Sequence, residues 1–300
     1  MEYVALGSTQ LSASVAGLGC GGSSRLGTRT GNTEEESVNL VKRAVELGIN
    51  FFDTAEAYGT EEIVGLALQK EDRGSMIVST KTLVKRRGEF FSGSEIRSNL
   101  EKSLRSLKMD YVDIYHLHAV LPEDYARVKE GIVPVLLRAQ EEGKIRYLGI
   151  TESPPNDPKH EMLVKAFEDE FPFHVVMLGF HLMHQNARTS LLPLTLRYGI
   201  GTLIMFAVRS IFSDPDYLLA TLEKLSSDGE VDAGIADLRG FKSLLMKEGA
   251  AESIIDAAYR YARHEPGAEV VLLGTGNQTH LEGNVKSILK MPLDQGTQDA

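Results

Sequence analysis

Asn50-Phe51-Phe52-Asp53-Thr54-Ala55-Glu56-Ala57-Tyr58-Gly59 runs an apolar pair into an acid, then into a polar turn that holds a tyrosine and closes on glycine. Such a segment reads as a buried strand that ends by presenting chemistry. Around it, strand and helix patterns alternate. Tyr3 to Leu6 and Ser12 to Val15, on either side of Gly7-Ser8-Thr9-Gln10, form a short hairpin. Strands then follow at 15–19, 49–52, 76–80, 111–117, 145–150, 175–178, 201–206 and 270–273. Helical spacing recurs between them, as in Ile96, Leu100, Leu104 and Leu107, and Thr33 with Glu36 makes a capping box ahead of Val38, Val41 and Val45. Eight strand–helix units in 300 residues point to an α/β fold, a closed (β/α)8 TIM barrel with a short N-terminal β-hairpin. An open doubly wound sheet is the alternative that alternation alone leaves standing. No linker-like stretch divides the chain, so residues 1–300 read as a single barrel domain.

A composition of 42% hydrophobic and 25% charged residues is ordinary for a globular chain and supports a sizeable core. The net charge of −10 argues against nucleic-acid and anionic-membrane partners, which need clustered Lys and Arg. Lys85-Arg86-Arg87 is the one basic run and reads as a solvated loop. A single cysteine, Cys20, fits a reducing compartment, and the start Met1-Glu2-Tyr3 lacks the build of a signal peptide, so the expected location is the cytoplasm. Gly17, Gly19 and Gly22 spell G-x-G-x-x-G. The helix signal waits until Thr33, however, so these glycines read as a tight strand end lining a pocket rather than a dinucleotide turn.

In a barrel of this kind, chemistry sits at the carboxyl ends of the strands. Asp53 with Tyr58, Lys81, and His116-Leu117-His118 lie there. Side chains alternate along a strand, so Phe51 and Asp53 share a face, as do Ser79 and Lys81, and His116 and His118. A tyrosine hydroxyl titrates near pH ~10 and is a poor proton donor unless a neighbouring ammonium lowers its pKa. Lys81 is placed to supply that charge, Asp53 to keep Lys81 ionised, and His118 to hold a substrate oxygen for protonation by Tyr58. The set suits protonating a carbonyl oxygen while hydride reaches carbon, and hydride requires a nicotinamide or similar cofactor.

Phe52-Asp53-Thr54-Ala55 with Tyr58-Gly59, Ser79-Thr80-Lys81, Asp110 through His118, and Gly143 through Ile150 together resemble the aldo-keto reductase family, over nearly the whole chain. The resemblance implies NAD(P)H-dependent reduction of aldehydes, ketones or sugars, with Asp53, Tyr58, Lys81 and His118 as the catalytic four and Tyr58 as general acid. It also implies cofactor contacts from Asp53, Thr151, Phe206, Gly274, Thr275, Gly276, His280 and Asn284. NADP(H) is the expected cofactor. NAD(H) is the alternative, because Gly276 or His280 stands where the family often has Arg or Lys. Three positions depart from the family pattern: Glu152 for Asn, Met177 for Gln and Ala119 for Trp.

Two other readings use the same residues. His116 and His118 are spaced to chelate a metal in a hydrolase, with Asp53, Glu56 or His181 completing the site. Glu152 and Met177 motivate a nucleotide-binding barrel with little or no catalysis. His181 and His184 read as loop packing.

Overall fold

Strands covered on both faces read as near-continuous apolar runs. The structure, a computed structural model, describes every residue except 169, 170, 248, 249, 295 and 298–300. Its strands are β1 (Tyr3–Ala5), β2 (Ser12–Ser14), β3 (Ala16–Gly19), β4 (Phe51–Asp53), β5 (Ile77–Leu83), β6 (Lys85–Arg86), β7 (Glu89–Phe90), β8 (Val112–His118), β9 (Ile145–Thr151), β10 (Val175–Gly179), β11 (Gly201–Met205) and β12 (Val270–Leu273). Within the described residues, β3, β4, β5, β8, β9, β10, β11 and β12 pair in that order and β12 returns to β3, so the sheet closes. Every barrel pairing is parallel, as the alternation with helices requires.

The antiparallel pair β1–β2 and its loop close the amino-terminal end. Leu6, Leu11 and Ala13 enter the barrel and pack with Phe51, Ile77, Ile114, Val175, Leu203 and Val270. Polar contacts fix this plug: the Gln10 amide donates to Tyr147 Oη and the Gly7 amide to Glu269 Oε2. Gly7 must be glycine, because its φ is +53° and a Cβ there would overlap the backbone of Gly201. A second apolar layer, between sheet and helices, joins residues such as Phe52, Val78, Tyr115, Leu148, Ile204 and Val271 to Val41, Leu100, Leu136 and Ala258.

One segment differs from the sequence reading. The basic run is not a plain loop: Lys85 and Arg86 form β6, which pairs with β7 across a turn at Arg87 and Gly88, and Lys85 is bridged to Asp124 at 2.5 Å. Between β10 and β11 run two helices, Ala187–Ser190 and Leu192–Tyr198, with Pro193 in the first turn of the second. The long connection after β11 contains a helix at Pro215–Ser227, whose Asp214 caps the amides of Asp216 and Tyr217. Among the described residues no helix is long and apolar enough to cross a membrane.

The Thr33 capping box is present: Thr33 Oγ1 accepts from the Glu36 amide at 3.2 Å and Glu36 Oε2 accepts from the Thr33 amide at 2.7 Å. Thr33→Ala should therefore lower stability by about 1 kcal/mol, read as a lower urea midpoint at unchanged slope.

Candidate active site

The parallel registers set Asp53 level with Ser79 on β5 and Lys81 level with His116 on β8. Asp53 and Lys81 therefore meet inside the barrel at its carboxyl end. Lys81 Nζ donates to Asp53 Oδ2 at 2.6 Å and to the Thr54 carbonyl at 2.8 Å, and Ser79 Oγ donates to Asp53 Oδ1 at 2.9 Å. Lys81 is wholly buried. Burial pushes its pKa down, but Asp53 and then Tyr58 outweigh that push and the net direction is up, so the ammonium persists.

Tyr58 ends the single helical turn Glu56–Tyr58, which closes on Gly59 at φ +70°. Behind it, Thr54 Oγ1 and Thr60 Oγ1 lie 2.9 Å apart and Thr60 donates to the Cys20 carbonyl, which fixes the turn against β3. Two neighbours place the phenol. Arg25 Nη1 donates to the Tyr58 carbonyl at 2.9 Å. Gly21 lies flat against the ring, where a Cβ would come within 2.5 Å of Cε2. That close approach is the structural use of the glycine run. Gly17 and Gly19 lie in or end β3, turns fill 22–31, and the helix starts only at Glu34.

Lys81 Nζ lies 5.0 Å from the Tyr58 ring centre, and Tyr58 Oη lies 3.4 Å from His118 Nε2. The four residues singled out in the sequence thus converge. The expectation for Tyr58 needs a correction: its pKa is raised, because burial outweighs the opposing pull of Lys81. The phenol is held as the neutral acid. His118 is pushed down to about 3 by burial and then by the charge of Lys81, so its imidazole is also neutral at physiological pH. His116 lies beneath it, wholly buried, in the room left by Gly149. No group of three His, Cys, Asp or Glu among the described residues is placed to hold a metal ion.

These residues open into a cleft of about 540 Å³ lined by Asp53, Tyr58, His118, Thr151, Met177, Phe206 and Gly274, with Gly21, Ser23, Ser24, Ala119, Pro154, Met205, Arg209 and Ser210 around them. A second cleft of about 570 Å³ lies at the opposite end, beneath the hairpin, and holds none of the four. Of the cofactor contacts expected from sequence, Asp53, Thr151, Phe206 and Gly274 line the first cleft. Thr275, Gly276, His280 and Asn284 fall outside that lining, the first two on the segment leading into the helix Gln278–Ile288 and the other two within it. There Asn32 Nδ2 donates to the Gly276 carbonyl at 2.8 Å, so the β3 loop packs against it. Phe206 lies just past β11 at φ +68°, with the Arg209 guanidinium 4.2 Å over its ring. Thr151 Oγ1 accepts from the Ala119 amide at 2.7 Å, which leaves its own proton available. Met177, Met205, Phe206 and Leu272 give the cleft apolar surface beside the neutral phenol and imidazole, as a site for a small organic ring needs. Arg25 and Arg209 were not visible in the sequence pattern, since both lie in loops without a period.

Three histidines, His116 buried and His118 and His181 part-buried, carry a stability consequence. Burial depresses His116, His118 and His181 below their ordinary value, His118 and His181 to about 3. Unfolded, they titrate near pH ~6.5, so as pH falls from there towards the folded values the unfolded chain binds more protons and stability drops. Each group contributes up to about 1.4 kcal/mol per pH unit in that window. Urea midpoints should therefore fall with acidification, and His118→Asn should shallow the slope by about one group's share.

The sequence model of the Aldo/keto reductase family matches residues 18–298. An L-galactose dehydrogenase of Arabidopsis thaliana is 28% identical, covering 99% of this chain and 92% of its own length. An aldo-keto reductase of Bacillus subtilis is 28% identical over 94% of this chain and 87% of its own. In fold, the chain resembles an aldo-keto reductase from Bacillus halodurans in its holo form, with a TM-score of 0.76, 22% identity, and coverage of 100% of this chain and 96% of that one. The barrel and the family match together identify the chain as a member of the aldo/keto reductase family, an NAD(P)-dependent oxidoreductase.

Proposed function

We propose that this chain, acting as one catalytic unit, moves hydride between NADP(H) and the carbonyl or alcohol carbon of a small aldehyde, ketone or sugar, with Tyr58 as general acid and base. The convergence of Asp53, Lys81, Tyr58 and His118 on one cleft carries the reading. Bound in that cleft, a reduced nicotinamide supplies the hydride, which no side chain can. Asp53 holds Lys81 ionised and oriented. Lys81 stabilises the phenolate left when Tyr58 gives up its proton, and so offsets part of the burial that otherwise disfavours it. His118, neutral, hydrogen-bonds the carbonyl oxygen beside Tyr58 Oη and polarises it. Thr151, Phe206 and Gly274 are the proposed contacts to the cofactor within the cleft, and Thr275, Gly276, His280 and Asn284 those to its adenosine phosphate. NADP(H) is the proposed cofactor and NAD(H) the alternative: the first turn of the helix Gln278–Ile288 favours a phosphate, and His280 is exposed there where the family often has Arg or Lys. A sugar is supported by the hydroxyls of Ser23, Ser24, Ser153 and Ser210 around the cleft, with Arg209 among them, and by the similarity to a protein named L-galactose dehydrogenase.

Titration with NADPH and NADH, followed by fluorescence, should show saturable binding with NADPH the tighter. With para-nitrobenzaldehyde as test substrate, Tyr58→Phe should lose about 100-fold or more in turnover while binding nucleotide normally. Near-normal turnover in that variant would sink the mechanism.

A further inference from the structure

Glu152 stands where the family pattern places an asparagine and belongs to the lining of the cleft, yet both of its carboxylate oxygens are taken up by protein partners. The side chain is wholly buried. Oε1 accepts from the Gly179 amide at the end of β10, at 2.9 Å, and Oε2 lies 2.7 Å from His160 Nδ1. His160 is also wholly buried, sits at φ +59°, and stacks on His184 with ring centres 5.0 Å apart and planes 15° apart. His184 Nε2 lies 2.7 Å from the Pro158 carbonyl, which also accepts from Asn186 Nδ2. The segment between residues 152 and 160 is therefore a loop clipped at its base and tied from outside to the strand and loop that follow it. Its outer part, Ser153, Pro154 and Pro155, is one wall of the cleft. Pro154 rests on Gly179: a Cβ there would come within 2.9 Å of Pro154 Cγ. Gly179 thus donates to Glu152 and supports Pro154 at the same place.

We infer that Glu152 and His160 are positioning residues that set the Ser153–Pro155 wall, and with it the substrate pocket, without touching substrate or cofactor. A buried carboxylate must keep its partners, and here the partners are the base of the loop and the end of the next strand. The pair therefore converts a loop of small residues and prolines into a fixed wall. The strained backbone at His160 is consistent with this, since a non-glycine residue is held in the left-handed region only where its surroundings demand it.

The inference rests on the reductase reading, so its test has one arm that does not need turnover. His160→Gly removes the imidazole and suits the positive φ, so a loss in that variant does not come from backbone strain. Hydrogen exchange at the Asn156 and Asp157 amides should speed by about tenfold or more in His160→Gly. Unchanged exchange there overturns the clip whether or not the protein is active. In kinetics with para-nitrobenzaldehyde, His160→Gly and Gly179→Ala, which displaces Pro154 but leaves the pair in place, should each raise KM about tenfold, with kcat and nucleotide Kd held within about twofold. Glu152→Gln should behave as wild type, because its amide oxygen accepts from Gly179 and its amide nitrogen stays within hydrogen-bond reach of His160 Nδ1. A nucleotide Kd that rises with KM would place Glu152 at the cofactor and overturn the assignment, as would an unchanged KM in both variants. An inactive wild type with normal clip exchange would instead count against the reductase reading alone.

Discussion

A lysine with no solvent exposure needs a counter-charge, and the Asp53–Lys81 pair is the constraint around which the active end is arranged. Both Asp53 oxygens are occupied, by Lys81 and Ser79, and Lys81 spends a second donor on the Thr54 carbonyl. Leaving either charge alone in this setting costs about 3–5 kcal/mol. The pair forms only in one register, since a slip of one residue between β4 and β5 would turn Lys81 out of the barrel. Strand register, ion pair and catalytic geometry are therefore one condition. With Asp53 on one side of the ammonium, the remaining influence of Lys81 falls on Tyr58, whose pKa it pulls down against burial, and on His116 and His118, whose pKa it lowers further after burial.

The positions that bring groups close to this pair lack side chains. Gly21 admits the Tyr58 ring, Gly149 admits the His116 imidazole, and Gly179 seats Pro154. Each lies at or near the end of a barrel strand, where a Cβ would push a ring away from the centre. Substituting any of them alters where a neighbour sits rather than what chemistry is present.

The fold and the convergence of Asp53, Lys81, Tyr58 and His118 were legible in the sequence for the same reason: barrel strands are marked by apolar runs, and alternation along a strand says which polar residues share the inner face. Asp53, Lys81 and His118 follow from that rule, and Tyr58 from the turn behind Asp53. The walls were not legible. Arg25, Pro154, His160 and Arg209 lie in loops, where no period reports direction. The sequence shows that Lys81 opposes the acidity cost at Tyr58, but burial, which wins, is a property of the packed site. Glu152 was visible as a departure, and its meaning needed His160, eight residues on and folded back upon it.

Backbone strain shows which end of the molecule is shaped by something other than stability. Among the described residues, the non-glycine positions at positive φ are Arg25, Leu26, Arg87, Lys108, Ala119, His160 and Phe206. Lys108 ends a helix, where such a conformation is ordinary. All the others lie in loops that follow barrel strands, at the carboxyl end. A left-handed backbone costs an L-residue roughly 1–2 kcal/mol, so the loops at this end together carry several kcal/mol that a glycine at each point would relieve, Ala119 and Phe206 being the two that line the cleft. At the amino-terminal end the positive-φ position in the plug is Gly7, and the conformation there is unstrained. The plug is built to close the barrel, whereas the rim holds Arg25 on the Tyr58 carbonyl, Ala119 beside His118, and Phe206 beneath Arg209, each side chain or turn kept where the cleft needs it at the expense of its own backbone.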